Sequence, residues 1–218
     1  MIEAVVFDLD GVVVESEQAW DSVRRELVEE EGGRWSEDAT EAMQGMSPTE
    51  WSRYMHSELE VDLDPEAISG RVVQRLADGY HRDLPLLPGA TEAVRRMAAR
   101  WPLGLASSSN REVIDLVLDL AEIAGCFEAT VSSEEVDRGK PAPDVYLEAA
   151  KHLDIAPERC AAIEDSSNGL RSASAAGMVV VAVPNRGYPP DADALELADL
   201  TLDSLDELSV KRIEDLRS

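Results

Sequence analysis

At 218 residues the chain can build one large domain or two modest ones, and its 44% apolar share is that of an ordinary globular protein. A formal charge of −25 repels polyanions at long range, which excludes nucleic acid and acidic membrane surfaces as partners. No apolar run is long enough to span a bilayer and no secretory signal is present, so a soluble cytoplasmic protein is expected, as a monomer or weak homodimer. Cys126 and Cys160 lie in apolar surroundings without motif spacing and read as buried, reduced thiols. Lysine occurs only at positions 140, 151 and 211. An acidic chain so poor in lysine fits a high-salt cytoplasm, where screening relieves self-repulsion.

The first predicted element is the apolar run Val5-Val6-Phe7-Asp8-Leu9-Asp10-Gly11-Val12-Val13-Val14, a buried strand of a parallel sheet. Two carboxylates mark its carboxyl end at positions i and i+2, which on a strand share one face. Buried acids are costly unless something positive lies between them, and a hard divalent cation such as Mg²⁺ answers that need. The alternative is that Asp8 and Asp10 cap the next helix or line a solvated turn.

Beyond Val14 the apolar period changes to that of helices. Trp20, Val23, Leu27 and Val28 share one face of the first, and Ala39 to Met43 makes a short second. Ser47-Pro48-Thr49-Glu50 opens a third as a capping box, and Asp64-Pro65 opens a fourth. Residues 15–84 therefore form a helical block without strand signals, whose Trp, Met and Tyr stripes read as its own core. From Leu84-Pro85-Leu86 onward, strands at 103–106, near 131, at 160–163, at 178–183 and at 200–202 alternate with helices. That alternation predicts an α/β fold, a doubly wound, Rossmann-like parallel sheet made of residues 1–14 and 85–218, into which residues 15–84 are inserted as an all-α cap domain. The segment from Leu205 to the end is acidic, mixed and uninformative.

Open parallel sheets bind ligands beyond the carboxyl ends of their strands. Asp8 and Asp10 follow the first strand, and Ser107-Ser108-Ser109-Asn110 follows the second at a helix start, where hydroxyls and amides cradle phosphate or merely cap the helix. Lys140, kept extended by Pro141, follows the third, and Glu164-Asp165-Ser166 follows the fourth. Each feature is weak alone. Together they read as a site for a cation and a phosphate.

With these residues in view the chain resembles the haloacid dehalogenase superfamily of phosphohydrolases. Phe7-Asp8-Leu9-Asp10-Gly11 matches its first motif, Ser107 its second, Lys140 in Gly-Lys-Pro-Ala-Pro-Asp its third, and Glu164-Asp165-Ser166-Ser167-Asn168-Gly169 with Ala175-Ala176-Gly177-Met178 its fourth. The match runs in order from residue 2 to about residue 185 and is most similar to the subgroup containing phosphoglycolate phosphatase and β-phosphoglucomutase. The resemblance implies a Mg²⁺-dependent phosphomonoester hydrolase acting on a small phosphorylated metabolite. It makes Asp8 the nucleophile that forms an aspartyl-phosphate, and Asp10 the general acid and base. It implies that the ion is held by Asp8, the Asp10 backbone carbonyl and Asp165, with Glu164 direct or through water, and that Ser107, Ser108 and Lys140 hold the phosphoryl oxygens.

Departures from relatives narrow the chemistry. Dehalogenases lack the second acid, which here is Asp10, and phosphonatases use a cap lysine, whereas residues 15–84 contain none. The mutase cap carries Lys and Arg around the loop that here reads Gln44-Gly45-Met46-Ser47-Pro48, and His where this chain has Trp20. Hydrolysis is therefore favoured over a sugar-phosphate mutase, and a non-catalytic binding module on the same fold is disfavoured because binding alone does not require Asp10. Glu15, Trp20, Gln44, Ser47 and Arg53 are the candidates for leaving-group recognition. His56, His81 and His152 have no ligand spacing and read as surface residues.

Overall fold

A computed structural model describes residues 1–43, 45–185 and 187–217. Six strands, β1 (Ala4–Phe7), β2 (Leu103–Ser107), β3 (Ala129–Ser132), β4 (Cys160–Glu164), β5 (Val179–Ala182) and β6 (Leu200–Thr201), form one sheet in the order β3-β2-β1-β4-β5-β6. Every pairing is parallel. Alternation along each strand feeds two cores. Val5, Phe7, Leu103, Leu105, Ile163 and Val181 face one layer. Ala4, Val6, Ala106, Val131, Ala162 and Val180 face the other. Both faces are covered, which explains why these strands read as near-continuous apolar runs rather than alternating ones.

The strand order reverses between β1 and β4, where Phe7 pairs with Ile163 and the Asp8 N–H donates to the Ile163 carbonyl at 3.0 Å. A crevice opens at such a switch point, at the carboxyl ends of the strands. Asp8 and Asp165 both lie there, each one residue past its strand.

Between β1 and the helix at Ala90–Ala98 lie α1 (Glu17–Glu30), α2 (Ala39–Met43), α3 (Pro48–Ser57) and α4 (Pro65–Arg82). Asp64 starts α4 by accepting the Ala67 N–H at 2.9 Å. At the start of α3, Glu50 Oε2 accepts from the Ser47 N–H at 2.8 Å and from its hydroxyl at 2.6 Å. Trp51, Met55 and Leu76 are fully buried between these helices, each contributing about 1.5–3 kcal/mol. On α1 the buried face is Trp20, Arg24, Leu27 and Val28; Val23, expected there, is half-buried, and an arginine takes the position. The two chain crossings into this block run side by side, with Glu15 N–H on Pro85 O at 2.8 Å and Leu87 N–H on Val13 O at 3.0 Å.

Two further expectations change. Cys160 is buried, but Cys126 is only half-buried. The carboxyl-terminal segment is not featureless: Leu205, Leu208 and Ile213 join the core, and Arg96 donates to the carbonyls of Leu208 and Leu205 at 2.7 and 2.9 Å. No described helix is long and apolar enough to cross a membrane.

Candidate active site

Four strand ends supply the site. Asp8 leaves β1 into a tight turn closed by the Gly11 N–H on Val14 O at 2.8 Å. Gly11 has φ of 74°, and a Cβ there would lie 1.9 Å from Asp165 Oδ2, so only glycine permits both the turn and the close approach. Lys140 comes from the loop before α7, where α5 (Ala90–Ala98), α6 (Arg111–Leu120), α7 (Asp144–His152) and α8 (Ser167–Ala175) are the helices of the sheet. Its buried Nζ stands 2.9 Å from Asp8 Oδ1 and 2.6 Å from Glu164 Oε1.

Glu164 is wholly buried and heavily bonded. Oε1 also accepts the Tyr146 hydroxyl at 2.7 Å, and Oε2 accepts the Asp165 N–H at 3.1 Å and the Ser166 hydroxyl at 3.3 Å. The space for this carboxylate exists because position 169 is glycine: a Cβ there would meet it at 1.9 Å. Asp165 differs. Its buried Oδ1 has no hydrogen-bond partner among the described residues. One carboxylate oxygen from each of Asp8, Glu164 and Asp165 lies within 4.8 Å of the others. Hard oxygen donors at that spacing, with a buried oxygen left unpartnered, fit a small divalent cation.

The electrostatics point the same way. Burial, reinforced by Glu164 and partly opposed by Lys140, pushes the Asp8 carboxyl up to about 8. Asp165 is raised well above the usual carboxylate range by burial, then by Glu164 and Asp8. Lys140 is buried, yet the charges of Asp8 and Glu164 raise it above its ordinary value and keep it cationic. One ammonium among three buried acids leaves a deficit of positive charge.

Asp10 faces a different set of partners. Oδ1 accepts the Ser16 hydroxyl at 2.5 Å and the Trp20 indole N–H at 3.2 Å; Oδ2 accepts the hydroxyls of Ser109 at 2.6 Å and Ser107 at 3.3 Å. Ser107 is thus engaged with Asp10, whereas the neighbouring buried Ser108 hydroxyl has no partner among the described residues. The Ser108 and Ser109 carbonyls are pinned by the hydroxyls of Ser133 and Ser132 at 2.9 and 2.7 Å.

A cavity of about 60 Å³ lies over these groups, with Asp8, Ser108, Lys140 and Asp165 on its floor and Trp20, Arg24 and Trp51 on the helical side. Of the residues expected to read the leaving group, Trp20 lines it. Glu15 and Ser47 are not among its lining residues: Glu15 meets the Asn185 amide at 3.4 Å, and Ser47 is consumed in its capping box. Arg53 is exposed on α3. Gln44 lies outside the described residues. Tyr146 and Arg24 were missed, and Ser109, expected within the phosphate cradle, instead holds Asp10. Tyr146 is one apolar-looking position on a helix. Arg24 did carry a signal, a charge at i+4 from Trp20 inside the apolar stripe.

The fold is that of the doubly wound α/β enzymes. Residues 2–177 match the family of haloacid dehalogenase-like hydrolases. The chain is 33% identical to hexitol phosphatase B of Escherichia coli over 216 residues, 96% of each chain. It superposes on CbbY of Rhodobacter sphaeroides in complex with phosphate with a TM-score of 0.86 at 25% identity, covering 98% of this chain and 100% of that one. β-Phosphoglucomutase of Clostridium difficile gives 0.84 at 24% identity over 99% and 97%. The chain belongs to the haloacid dehalogenase-like hydrolases and is an enzyme of their phosphatase type.

Proposed function

We propose that the enzyme hydrolyses a phosphomonoester of a small metabolite of the sugar-phosphate class, using Mg²⁺ and an aspartyl-phosphate on Asp8. The observation that carries this reading is the buried, unpartnered Asp165 Oδ1 beside Asp8, with Lys140 2.9 Å from the attacking carboxylate. Asp8 and Asp165 would hold the ion together with the Asp10 carbonyl. Glu164, whose oxygens are committed to Lys140, Tyr146 and backbone amides, would support it through water. When bound, the cation neutralises charge on the phosphoryl oxygens and keeps Asp8 ionised.

Asp8 attacks phosphorus, and the bond to the leaving oxygen breaks as that oxygen takes a proton from Asp10. Asp10 then accepts a proton from the water that attacks the aspartyl-phosphate, releasing inorganic phosphate and restoring Asp8. Lys140, the Ser108 hydroxyl, Ser107 and the loop amides hold the phosphoryl oxygens. Residues 15–84 act as a cap over a core of residues 1–14 and 85–218, with Trp20 and its neighbours excluding water.

The named activity of the E. coli relative supports phosphorylated sugars or sugar alcohols as the substrate class. Likeness to the mutase is one of fold alone, and the helical insert offers no lysine for a second phosphate. Phosphate release from a panel of sugar phosphates, with Mg²⁺ and with chelator, is the test. Turnover in Mg²⁺ that disappears in chelator and in Asp8→Asn is expected, and undiminished turnover by Asp8→Asn defeats the assignment.

A further inference from the structure

Arg24 is the one buried arginine among the described residues, and it faces the catalytic cavity from α1. Its guanidinium carbon lies 4.7 Å from the Trp20 ring centroid and 4.8 Å from that of Trp51. Those rings are themselves 5.9 Å apart and tilted by 58°, so they form a notch that fixes the guanidinium plane. Its buried Nε has no hydrogen-bond partner among the described residues. Burial lowers its pKa to about 10, against the opposing charges of Glu17, Asp10 and Asp21.

Such an arrangement is expensive for the fold. A buried guanidinium loses hydration, and two aromatic faces return only part of that. An apolar residue would pack the Trp20–Trp51 notch more cheaply. What a rigid guanidinium with an unpartnered Nε beside a phosphate site does well is bind an oxyanion through its fork of N–H donors. Trp20 fixes the distance between the two ends of the cavity, because its ring supports Arg24 while its N–H holds Asp10.

We propose that Arg24 is a specificity residue that binds an anionic group, a carboxylate or a second phosphate, on the leaving-group side of the substrate. The assignment rests on the phosphatase reading above and narrows it: sugar acid phosphates and bisphosphates are preferred over neutral sugar or polyol phosphates. It also supplies, from α1, a cation that the loop at 45–48 lacks.

The test uses matched pairs with the full-length enzyme in Mg²⁺. 3-Phosphoglycerate against glycerol 3-phosphate isolates the carboxylate; propane-1,3-diol bisphosphate against its monophosphate isolates the second phosphate. The wild type is expected to favour the anionic member of at least one pair by about 10- to 100-fold in kcat/KM, as a hydrogen bond to a charged group implies. Whichever pair shows the preference identifies the source of the anion. Arg24→Gln should bring that ratio close to one, and Arg24→Lys should lower it in part, since a point charge replaces the fork. A packing role alone would change both members of a pair equally. A wild-type ratio near one in both pairs overturns the proposal, as does a ratio unchanged in either variant. Arg24→Lys decides should Arg24→Gln not fold. p-Nitrophenyl phosphate separates the two readings: no Mg²⁺-dependent turnover of it defeats the phosphatase reading, whereas turnover without anion preference defeats Arg24 alone.

Discussion

Lys140 stands 2.9 Å from Asp8 through an ion pair that is closed to solvent on both sides, with side chains 3% and 8% exposed. The same ammonium reaches Glu164 at 2.6 Å, so one cation joins the end of β1 to the end of β4. Its removal would leave buried carboxylates facing each other with nothing between them. Lys140→Met is therefore expected to lower kcat/KM by about 10²- to 10³-fold, the usual effect of deleting one preorganised donor. Urea unfolding should show a loss of about 3–5 kcal/mol in the metal-free protein, as for an uncompensated buried charge. A variant with wild-type stability and turnover would show that the pair is idle.

Asp10→Asn keeps the hydrogen-bonding shape of the side chain and removes its proton chemistry. Turnover of substrates with poor alcohol leaving groups should fall by about 10²- to 10⁴-fold. p-Nitrophenyl phosphate, whose leaving group needs no proton, should lose less in the first step. Rapid-quench measurement of the aspartyl-phosphate checks this. Accumulation of the phosphoenzyme in Asp10→Asn is the expected signature, because hydrolysis then lacks its base.

The raised carboxyls of Asp8 and Asp165 set a pH dependence with a definite sign. A carboxyl whose folded pKa lies above its unfolded value contributes stability in full below the unfolded value. It loses that contribution as pH rises through the folded one. For Asp8 the window runs from 3.8 to about 8. The chelated protein should therefore lose this stability across that window, while Mg²⁺, which binds the ionised form, should restore it. The gap in Tm between Mg²⁺ and chelator should widen from about pH 5 to about pH 8. In Asp165→Asn the gap should shrink. Calorimetry at a series of pH values measures both.

Gly11→Ala tests the cradle of the proposed cation site without substituting a carboxylate. The change forces a Cβ into a backbone with φ of 74° and to within 1.9 Å of Asp165 Oδ2. Backbone strain costs about 1–3 kcal/mol, and Asp165 must move. The Mg²⁺ concentration for half-maximal activity should rise by about 10- to 100-fold, as when the support of a ligand is lost. An unchanged Mg²⁺ requirement would separate Asp165 from the ion.

A formal charge of −25 leads to the last expectation. Raising salt from about 0.1 M to about 1 M shortens the screening length from about 10 Å to about 3 Å. Self-repulsion should relax more than the exposed ion pairs weaken, so Tm should increase. A flat or falling Tm removes the case for a high-salt habitat.

The strand ends were legible because chemistry there interrupts apolar runs: Asp8 after Val5-Val6-Phe7, Glu164 after Ala161-Ala162-Ile163. Parallel strands buried on both faces show as short continuous apolar runs, bounded here by acids and turn residues, and the sheet order then gathers their ends. The helical side of the cavity was less readable. Arg53 was singled out and Arg24 passed over, although each is a charge on an amphipathic helix, and only the packing of α1 against α3 turns Arg24 inward and leaves Arg53 in solvent. Tyr146 was equally silent, because a buried hydroxyl acquires meaning only from the carboxylate it meets, 18 positions away in the chain.

The side-by-side crossings at Glu15–Pro85 and Val13–Leu87 give the helical insert a two-ply stem, and that stem continues directly into the turn bearing Asp10. A swing of the helices must tug on the same few residues that aim this carboxylate, and it would also peel away the Ser16 and Trp20 donors. Ser16 and Trp20 both belong to that insert, so the seating of the helices and the hold on this carboxylate are one piece of architecture.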